Sequence, residues 1–196
     1  MVQPISHLLI SGITPSSTVN GPGSRTVLHA QGCDVRCPGC FNKHTWDASS
    51  GTARTTDSLA QEILSYANTG LTLSGGEPMQ QIHGLMELVE KVRAVRPSTD
   101  VLMFSGWSKV EIESKIDLCT LGNYIDVVIA GPYDQSLSKE GIVASSNQEV
   151  VYLTNKIPSE LLTDSRIVEV ICDGDEVVIT GFPTKEERRN LLRELN

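Results

Sequence analysis

The spacing of apolar positions changes along the chain, and the order of these changes predicts an α/β fold. Short apolar runs, typical of buried strands, alternate with segments whose apolar positions recur at helical spacing. The strand-like runs cover residues 26–32, 70–74, 100–107 and 124–130, and the helix-like segments cover residues 55–67, 79–95 and 109–118. Alternation of this kind predicts a parallel sheet, because each helix carries the chain back to begin the next strand.

The spacing of apolar positions changes beyond Asn147, where apolar and polar positions alternate as they do in half-buried strands. The alternating runs cover residues 147–154, 166–171 and 176–182. A turn rich in Gly and Asp at residues 172–175 joins the last two runs into a predicted hairpin, and a helix-like segment follows. We therefore expect a core over residues 1–153 and an extension over residues 154–196 that packs on the same domain.

The length and the charge of the chain argue against several classes of function. A chain of 196 residues buries enough surface to form one compact domain without disulfides. The net charge of -8 and the pI of about 5.0 argue against a nucleic-acid partner, which requires dense Lys and Arg on one face. No apolar run approaches the roughly 20 residues that cross a bilayer, so we expect no membrane partner.

Five cysteines are present, and three of them lie within eight positions of a turn-rich loop. The first residues carry neither a basic segment nor a long apolar core, so they do not resemble a secretory signal. We therefore expect a reducing, cytoplasmic location. Close-set cysteines in that compartment are typically metal ligands or catalytic thiols and rarely disulfides.

Cys33, Cys37 and Cys40 follow a Cys-x3-Cys-x2-Cys pattern. Thiolates are soft donors that suit iron or zinc. A short loop lets three sulfurs reach three corners of one small iron–sulfur cube. The pattern therefore predicts a metal centre, although a purely structural cysteine trio stays open as an alternative.

The same loop lacks a fourth cysteine for the metal. Structural zinc requires four ligands, and His44 is the nearest candidate for the fourth. Cys119 and Cys172 lie in apolar helix and strand contexts, where an isolated cysteine behaves as a small hydrophobic residue. Three ligands and one open corner favour a cluster that binds a substrate.

Four loops with distinctive residues each follow a predicted strand directly. They read Cys-Asp-Val-Arg-Cys-Pro-Gly-Cys, Ser-Gly-Gly-Glu-Pro, Ser-Gly-Trp and Ala-Gly-Pro-Tyr-Asp. Loops that follow parallel strands gather at the carboxyl edge of the sheet, so we expect all four at one rim. Gly75 and Gly76 can adopt positive φ and bring bare backbone close to a ligand, but the pair also fits an ordinary strand-to-helix turn.

Five motifs in order resemble one branch of the radical S-adenosylmethionine superfamily. That branch is the family of activating proteins of anaerobic ribonucleoside-triphosphate reductase, and the resemblance covers roughly residues 15–153. The motifs are NGPGSR at 20–25, GCDVRCPGCFNKHTW at 32–46, LSGGEP at 73–78, IDVVIAGPY at 125–133 and SSNQ at 145–148. The cysteine trio alone indicates only the superfamily, whereas five motifs in order are typical of the branch.

The resemblance implies a fold, two cofactors and two partners. The fold is a partial, incomplete parallel β/α barrel with the hairpin and helix appended. The cofactors are one 4Fe-4S cluster and S-adenosylmethionine, which is cleaved reductively to a 5'-deoxyadenosyl radical. The partners are a glycyl-radical enzyme, most simply the anaerobic ribonucleotide reductase, and an electron donor such as flavodoxin or ferredoxin. The cluster and S-adenosylmethionine carry the chemistry, so no side chain is expected to act as an acid or a base.

The resemblance also implies roles for individual residues. The cluster ligands are Cys33, Cys37 and Cys40. The Ser74–Glu77 loop is implied to contact the methionine ammonium, and Gly39, Cys40 and Phe41 the adenine side. Ser105 and Asp126, at or near strand ends, are further candidates for the ribose or carboxylate, although such residues more often cap a helix. The expected contacts to S-adenosylmethionine therefore come from Gly39, Cys40, Phe41, Ser74, Gly75, Gly76, Glu77, Ser105 and Asp126.

Two other functions stay open on the sequence. One is a radical S-adenosylmethionine enzyme that acts on a small molecule or a peptide, and the other is a non-catalytic iron–sulfur or zinc module. The extension beyond residue 153 is not explained by the resemblance. It is expected either to cover an exposed sheet edge or to dock the partner that accepts the radical.

Overall fold

A computed structural model describes residues 6–139, 141–162, 168–173, 176–181, 189–190 and 193. In chain order the strands are β1 (His7–Ser17), β2 (Arg25–Ala30), β3 (Thr52–Thr55), β4 (Gly70–Gly75), β5 (Asp100–Ser105), β6 (Val127–Ala130), β7 (Glu149–Tyr152), β8 (Val168–Asp173) and β9 (Glu176–Gly181). The helices are α1 (Thr56–Ser65), α2 (Ile82–Val95), α3 (Lys109–Lys115) and α4 (Leu118–Leu121). All seven strands and all three helices predicted within the described residues are present.

Within the described residues, seven strands form one sheet in the order β3-β1-β2-β4-β5-β6-β7. The central strands β2, β4, β5 and β6 are parallel, which confirms the predicted α/β class. Strands β1, β3 and β7 pair antiparallel at the two sides. The sheet is therefore mixed and rich in parallel strands, and its description as a partial barrel stays a prediction.

The antiparallel strands β1 and β3 were not predicted. Only Leu8 and Ile10 of the first half of β1 are deeply buried, and the strand is interrupted by register shifts opposite β2. β3 has the sequence Thr-Ala-Arg-Thr, so it presents no apolar periodicity at all. These strands form because β1 offers backbone partners on both of its sides, which a hydrophobic pattern does not record.

The main core lies between one face of the sheet and helices α1 and α2. Thr55 caps α1 by accepting a hydrogen bond from the Ser58 N–H, and Leu59 and Ile63 of α1 face the sheet one turn apart. A second apolar cluster covers the opposite face and includes Ile157. No helix in the described ranges has the length and apolar character needed to cross a membrane.

Arg25 explains the first of the two glycines in the NGPGSR motif, Gly21. Its side chain is fully buried and forms a 2.5 Å ion pair with Asp100 at the amino end of β5. Its guanidinium also donates to the Thr72 hydroxyl at 2.8 Å and to the Leu71 carbonyl at 2.8 Å. A Cβ at Gly21 would lie 2.7 Å from Arg25 Cδ. The motif therefore packs around an ion pair at the amino ends of the parallel strands.

The predicted hairpin of the extension is confirmed, since β8 and β9 pair antiparallel from Val168 to Gly181. In the described part of the chain this hairpin forms its own two-stranded sheet and leaves both edges of the main sheet unpaired. It contacts the turn after β1 instead: Glu169 accepts two hydrogen bonds from Thr18, and Asn20 donates to Thr180. The pairing of β8 with β9 therefore does not support the expectation that the extension covers an edge of the main sheet. The domain boundary at residue 153 stays a prediction, and the predicted terminal helix lies mostly outside the described residues.

Candidate functional site

One pocket opens at the carboxyl ends of the four parallel strands, where the sequence predicted that four loops would meet. Each loop contributes to its lining, and the aromatic side chains of Phe41, Phe104 and Tyr133 make part of its wall. The predicted site residues that line it are Cys33, Cys37, Cys40, Phe41, Ser74, Gly75, Gly76, Glu77 and Ser105. The parallel order of β2, β4, β5 and β6 therefore gathers most of the predicted site at one rim.

The cysteine loop is anchored at both of its ends. The N–H groups of Gly32 and Cys33 donate to the carbonyls of Thr45 at 2.8 Å and Trp46 at 3.1 Å. The buried Gln31 side chain donates to the carbonyls of His44 and Asp47. Between these anchors the loop turns through three residues with positive φ, which are Gly32, Arg36 and Gly39. The loop is thus a closed structure in which the three thiols are set by backbone geometry.

The environments of the three thiols combine burial with nearby backbone groups. Cys33 and Cys37 are buried, and burial raises the pKa of both thiols while backbone hydrogen bonds oppose that rise. Backbone groups of Val35 and Arg36 lower the pKa of Cys33, and those of Tyr133 and Cys37 lower the pKa of Cys37. The Asn42 N–H donates to the Cys40 sulfur at 3.3 Å. Soft sulfur ligands that accept hydrogen bonds are the donor set of an iron–sulfur cluster. The residues present therefore fit such a cluster.

Among the residues that the structure describes, no fourth protein ligand is found beside the three thiols. His44 is exposed and is not among the residues that line the pocket, and Cys119 is solvent-exposed rather than apolar and buried as the sequence suggested. The side chain of Cys172 lies outside the described residues. Over the described ranges, no three His, Cys, Asp or Glu side chains converge closely enough to hold a single metal ion. The assignment of an iron–sulfur cluster therefore rests on the donor chemistry of the three thiols and on the family to which the chain belongs.

Gly75 and Gly76 fasten the end of β4 to the base of the cysteine loop. A Cβ at Gly76 would lie 2.2 Å from the Gly32 carbonyl oxygen, and one at Gly75 would lie 2.5 Å from the Ala30 carbonyl oxygen. The Gly76 N–H also donates to Ala30 and the Glu77 N–H to Gly32, both at 2.8 Å. The glycines are thus required by backbone packing, and their contact with a ligand stays a prediction.

Glu77 is a buried carboxylate that joins two of the four loops. One of its oxygens accepts from the Met79 N–H at 2.9 Å and from the Ser105 hydroxyl at 2.8 Å, and the other accepts from the Gly106 N–H at 2.7 Å. Burial raises its pKa to about 6, although these three hydrogen bonds act in the opposite direction. Glu77 therefore fixes the loop after β4 to the loop after β5.

The raised pKa of Glu77 predicts a pH dependence of stability for the metal-free protein. Its pKa lies at about 6 in the fold against an ordinary value of 4.5, so the folded protein holds this proton more tightly than the unfolded chain. The contribution of Glu77 is most favourable below pH 4.5 and decreases as the pH rises through about 6, by about 2 kcal/mol in total.

The measurement is urea unfolding of the wild type and of Glu77→Gln between pH 4 and pH 7. His29, whose pKa burial lowers to about 4, changes stability in the opposite direction over the same range, but both proteins share it. The difference in unfolding free energy, wild type minus variant, should fall by about 2 kcal/mol as the pH rises. A difference that does not change with pH would contradict the assignment.

Asp126 is not brought to the pocket. It lies just before β6, at the amino edge of the sheet, where it is fully buried and forms a 2.6 Å ion pair with Arg93. It also accepts hydrogen bonds from the Val101 N–H at 2.7 Å and the Thr154 hydroxyl at 2.7 Å. The expected contact with the cofactor is corrected on this ground: Asp126 ties β5, β6 and α2 together.

The other predicted residues lie in or beside the pocket. Ser105 is buried and already donates to Glu77 while it accepts from the Trp107 N–H at 3.0 Å. Phe41 lines the wall and packs on Tyr133, with ring centroids 5.4 Å apart. Gly39 turns the cysteine loop and is covered by the Gln135 side chain instead of lining the pocket.

Several pocket residues were missed by sequence reasoning. Asn42, Tyr133 and Gln148 line the cavity. Tyr133 and Gln148 belong to the IDVVIAGPY and SSNQ motifs, so the signal was present without a chemical role. Gln148 donates to the Gly131 carbonyl at 2.9 Å, a contact between distant segments that no local pattern could indicate.

Comparison with known proteins identifies the family. Residues 19–151 match the family described as a 4Fe-4S single cluster domain. The chain is 33% identical over 153 residues to the anaerobic ribonucleoside-triphosphate reductase-activating protein of Escherichia coli K12, covering 71% of this chain and 95% of the relative. The chain belongs to this family of activating proteins. The resemblance read from the five motifs is thereby confirmed.

Two further comparisons extend this result. The activating protein of enterobacteria phage T4 is 34% identical over 142 residues, covering 70% of this chain and 88% of the relative. That of Vibrio cholerae is 33% identical over 145 residues, covering 69% and 92% respectively. Among solved structures, QueE from Escherichia coli aligns with a TM-score of 0.45 and 19% identity over 52% of this chain and 54% of that chain. The activating-protein assignment rests on the sequence relatives.

Proposed function

We propose that this protein is a radical S-adenosylmethionine enzyme that generates a glycyl radical on an anaerobic ribonucleotide reductase. The observation that carries the proposal is the loop of three thiols at a rim where four loops meet. Membership in the activating-protein family supports the choice of partner.

Cys33, Cys37 and Cys40 would hold one 4Fe-4S cluster by three of its irons. The open position of such a cluster would be available to S-adenosylmethionine. The chemistry that the bound cluster would supply is one-electron reductive cleavage of the sulfonium to methionine and a 5'-deoxyadenosyl radical, which would take a hydrogen atom from the partner. An electron donor such as flavodoxin or ferredoxin would reduce the cluster.

The chain's own residues would place the cofactor and limit its contact with water. The loop after β4, fixed by Gly76 and Glu77, lies beside the thiols and is proposed to contact the methionine end of S-adenosylmethionine. Phe41 and Phe104 give the wall an apolar surface, which protects a reactive intermediate from solvent. The protein thus contributes position and exclusion, and the cofactor contributes the reaction.

The test is anaerobic reconstitution with iron and sulfide. The reduced protein should show an iron–sulfur EPR signal that changes when S-adenosylmethionine is added, and it should form 5'-deoxyadenosine. Incubation with the reductase should then produce a glycyl-radical EPR signal on that enzyme. A colourless zinc protein would overturn the proposal in favour of a structural module. Formation of 5'-deoxyadenosine without a radical on the reductase would point to a small-molecule or peptide substrate.

A further inference from the structure

Trp46 lies at the end of the cysteine loop, directly beside one of its thiols. Its backbone carbonyl accepts a hydrogen bond from the Cys33 N–H at 3.1 Å, and Trp46 lines the same pocket as Cys33, Cys37 and Cys40. The Lys43 ammonium nitrogen lies over the Trp46 ring, 5.6 Å from the ring centroid. Trp46 is therefore held at the wall of the pocket by contacts within its own loop.

The indole Nε1 atom of Trp46 is a buried donor without a partner. The residue as a whole is half-buried, but its Nε1 atom is buried and forms no hydrogen bond with any of the residues that the structure describes. An indole N–H can donate but cannot accept. Because native proteins pair nearly all of their buried polar groups, this N–H indicates an acceptor that is bound beside it.

The two tryptophans of the chain have different surroundings. Trp107 packs against the main core and is not among the residues that line the pocket. Trp46 belongs to neither of the apolar clusters found in the described part of the chain. Core packing therefore explains Trp107, whereas the neighbours of Trp46 are thiols and a cation.

Resting on the proposed function, we infer that Trp46 is a further binding residue for the iron–sulfur cluster, and that its indole N–H donates to a sulfur atom of that cluster or of its thiolates. These sulfur atoms carry negative charge and accept hydrogen bonds. Solvent does not reach Nε1, which suits a group enclosed by the cysteine loop. S-adenosylmethionine is the less suitable acceptor, because it must enter and leave the open pocket at each turnover.

The direct test is pulsed EPR of the reconstituted, reduced protein. In a Trp107→Phe protein labelled with tryptophan that carries ¹⁵N only at the indole nitrogen, Trp46 is the single labelled site. The unpaired spin of the reduced cluster should couple to this nitrogen. The control is Trp46→Phe with the same label, in which only Trp107 is labelled and no coupling is expected.

The second test is an anaerobic redox titration of the same variants. Reduction adds negative charge to the cluster, and a hydrogen bond to a sulfur stabilises that charge. Trp46→Phe keeps an aromatic ring but removes the donor, so its equilibrium constant for one-electron reduction should fall about threefold to tenfold, where tenfold corresponds to about 59 mV. Trp107→Phe also loses an indole N–H and should keep the wild-type potential.

The outcomes separate this inference from the proposed function. Absence of ¹⁵N coupling in the cluster-loaded Trp107→Phe protein would overturn the inference, even where Trp46→Phe does not fold, and would leave the activase proposal intact. Coupling that appears only after S-adenosylmethionine is added would overturn the assignment to sulfur. A wild-type potential in Trp46→Phe, or an equal fall in Trp107→Phe, would also contradict it. A wild-type protein that takes up no cluster would overturn both proposals.

Discussion

A Cys37→Ala protein should form no 5'-deoxyadenosine above background. Cys37 is buried, and it lies in the wall of the pocket together with Cys33 and Cys40. A cluster held by three thiolates loses a third of its protein ligands with this change, and alanine offers no atom that could bind iron in its place. The measurement is 5'-deoxyadenosine yield together with iron and sulfide content after anaerobic reconstitution, with Cys33→Ala and Cys40→Ala expected to behave alike.

The matched control is Cys119→Ala, because Cys119 is exposed and far in sequence from the loop. It should retain wild-type iron content and cleavage. Full cleavage by the Cys37→Ala protein would refute the ligand assignment. Equal loss in the Cys119→Ala protein would show that the assay reports general thiol damage.

A Gly76→Ala protein should fold with a displaced cysteine loop and take up little cluster. The added Cβ would lie 2.2 Å from the Gly32 carbonyl oxygen and 2.9 Å from its carbonyl carbon. Both atoms are backbone, so relief requires that β4 and the cysteine loop separate and that the hydrogen bond from the Glu77 N–H to Gly32 be lost. We expect a loss of about 3 kcal/mol in unfolding free energy and at least about a tenfold loss of 5'-deoxyadenosine formation.

Gly12→Ala provides the control for this change. Gly12 lies in β1, and a Cβ there would meet nothing within 4 Å. Urea unfolding and iron content should therefore match those of the wild type. A Gly76→Ala protein with normal iron content would show that the pocket tolerates the displacement, and the proposed tie between the two loops would be wrong.

The parallel strands were predictable because each carries its own apolar run and is followed by a helix or a turn with distinctive residues. β2, β4, β5 and β6 are nearly completely buried, so most of their side chains on both faces are apolar or small. β3 has no such signal, since it pairs with β1 through backbone groups, and two of its four side chains are exposed while none is buried. Pairing of that kind depends on partners that are distant in sequence.

The site was predictable to the extent that its residues follow strands directly. The thiols and the loop after β4 met this condition and lie at one rim. Asp126 failed it because it precedes its strand, which places it at the other edge of the sheet beside Arg93. Gln148 was overlooked because its task is to bind a carbonyl 17 positions away, and an amide side chain in a sequence carries no mark of such a contact.

The two ion pairs at the amino edge, Arg25 with Asp100 and Arg93 with Asp126, lie at the opposite ends of the strands from the thiols. A strand of six residues is about 20 Å long, so this edge can be altered without disturbing the metal-binding rim. Variants with greater heat resistance can therefore be sought there by screening aerobically purified protein, with oxygen-free handling reserved for those selected.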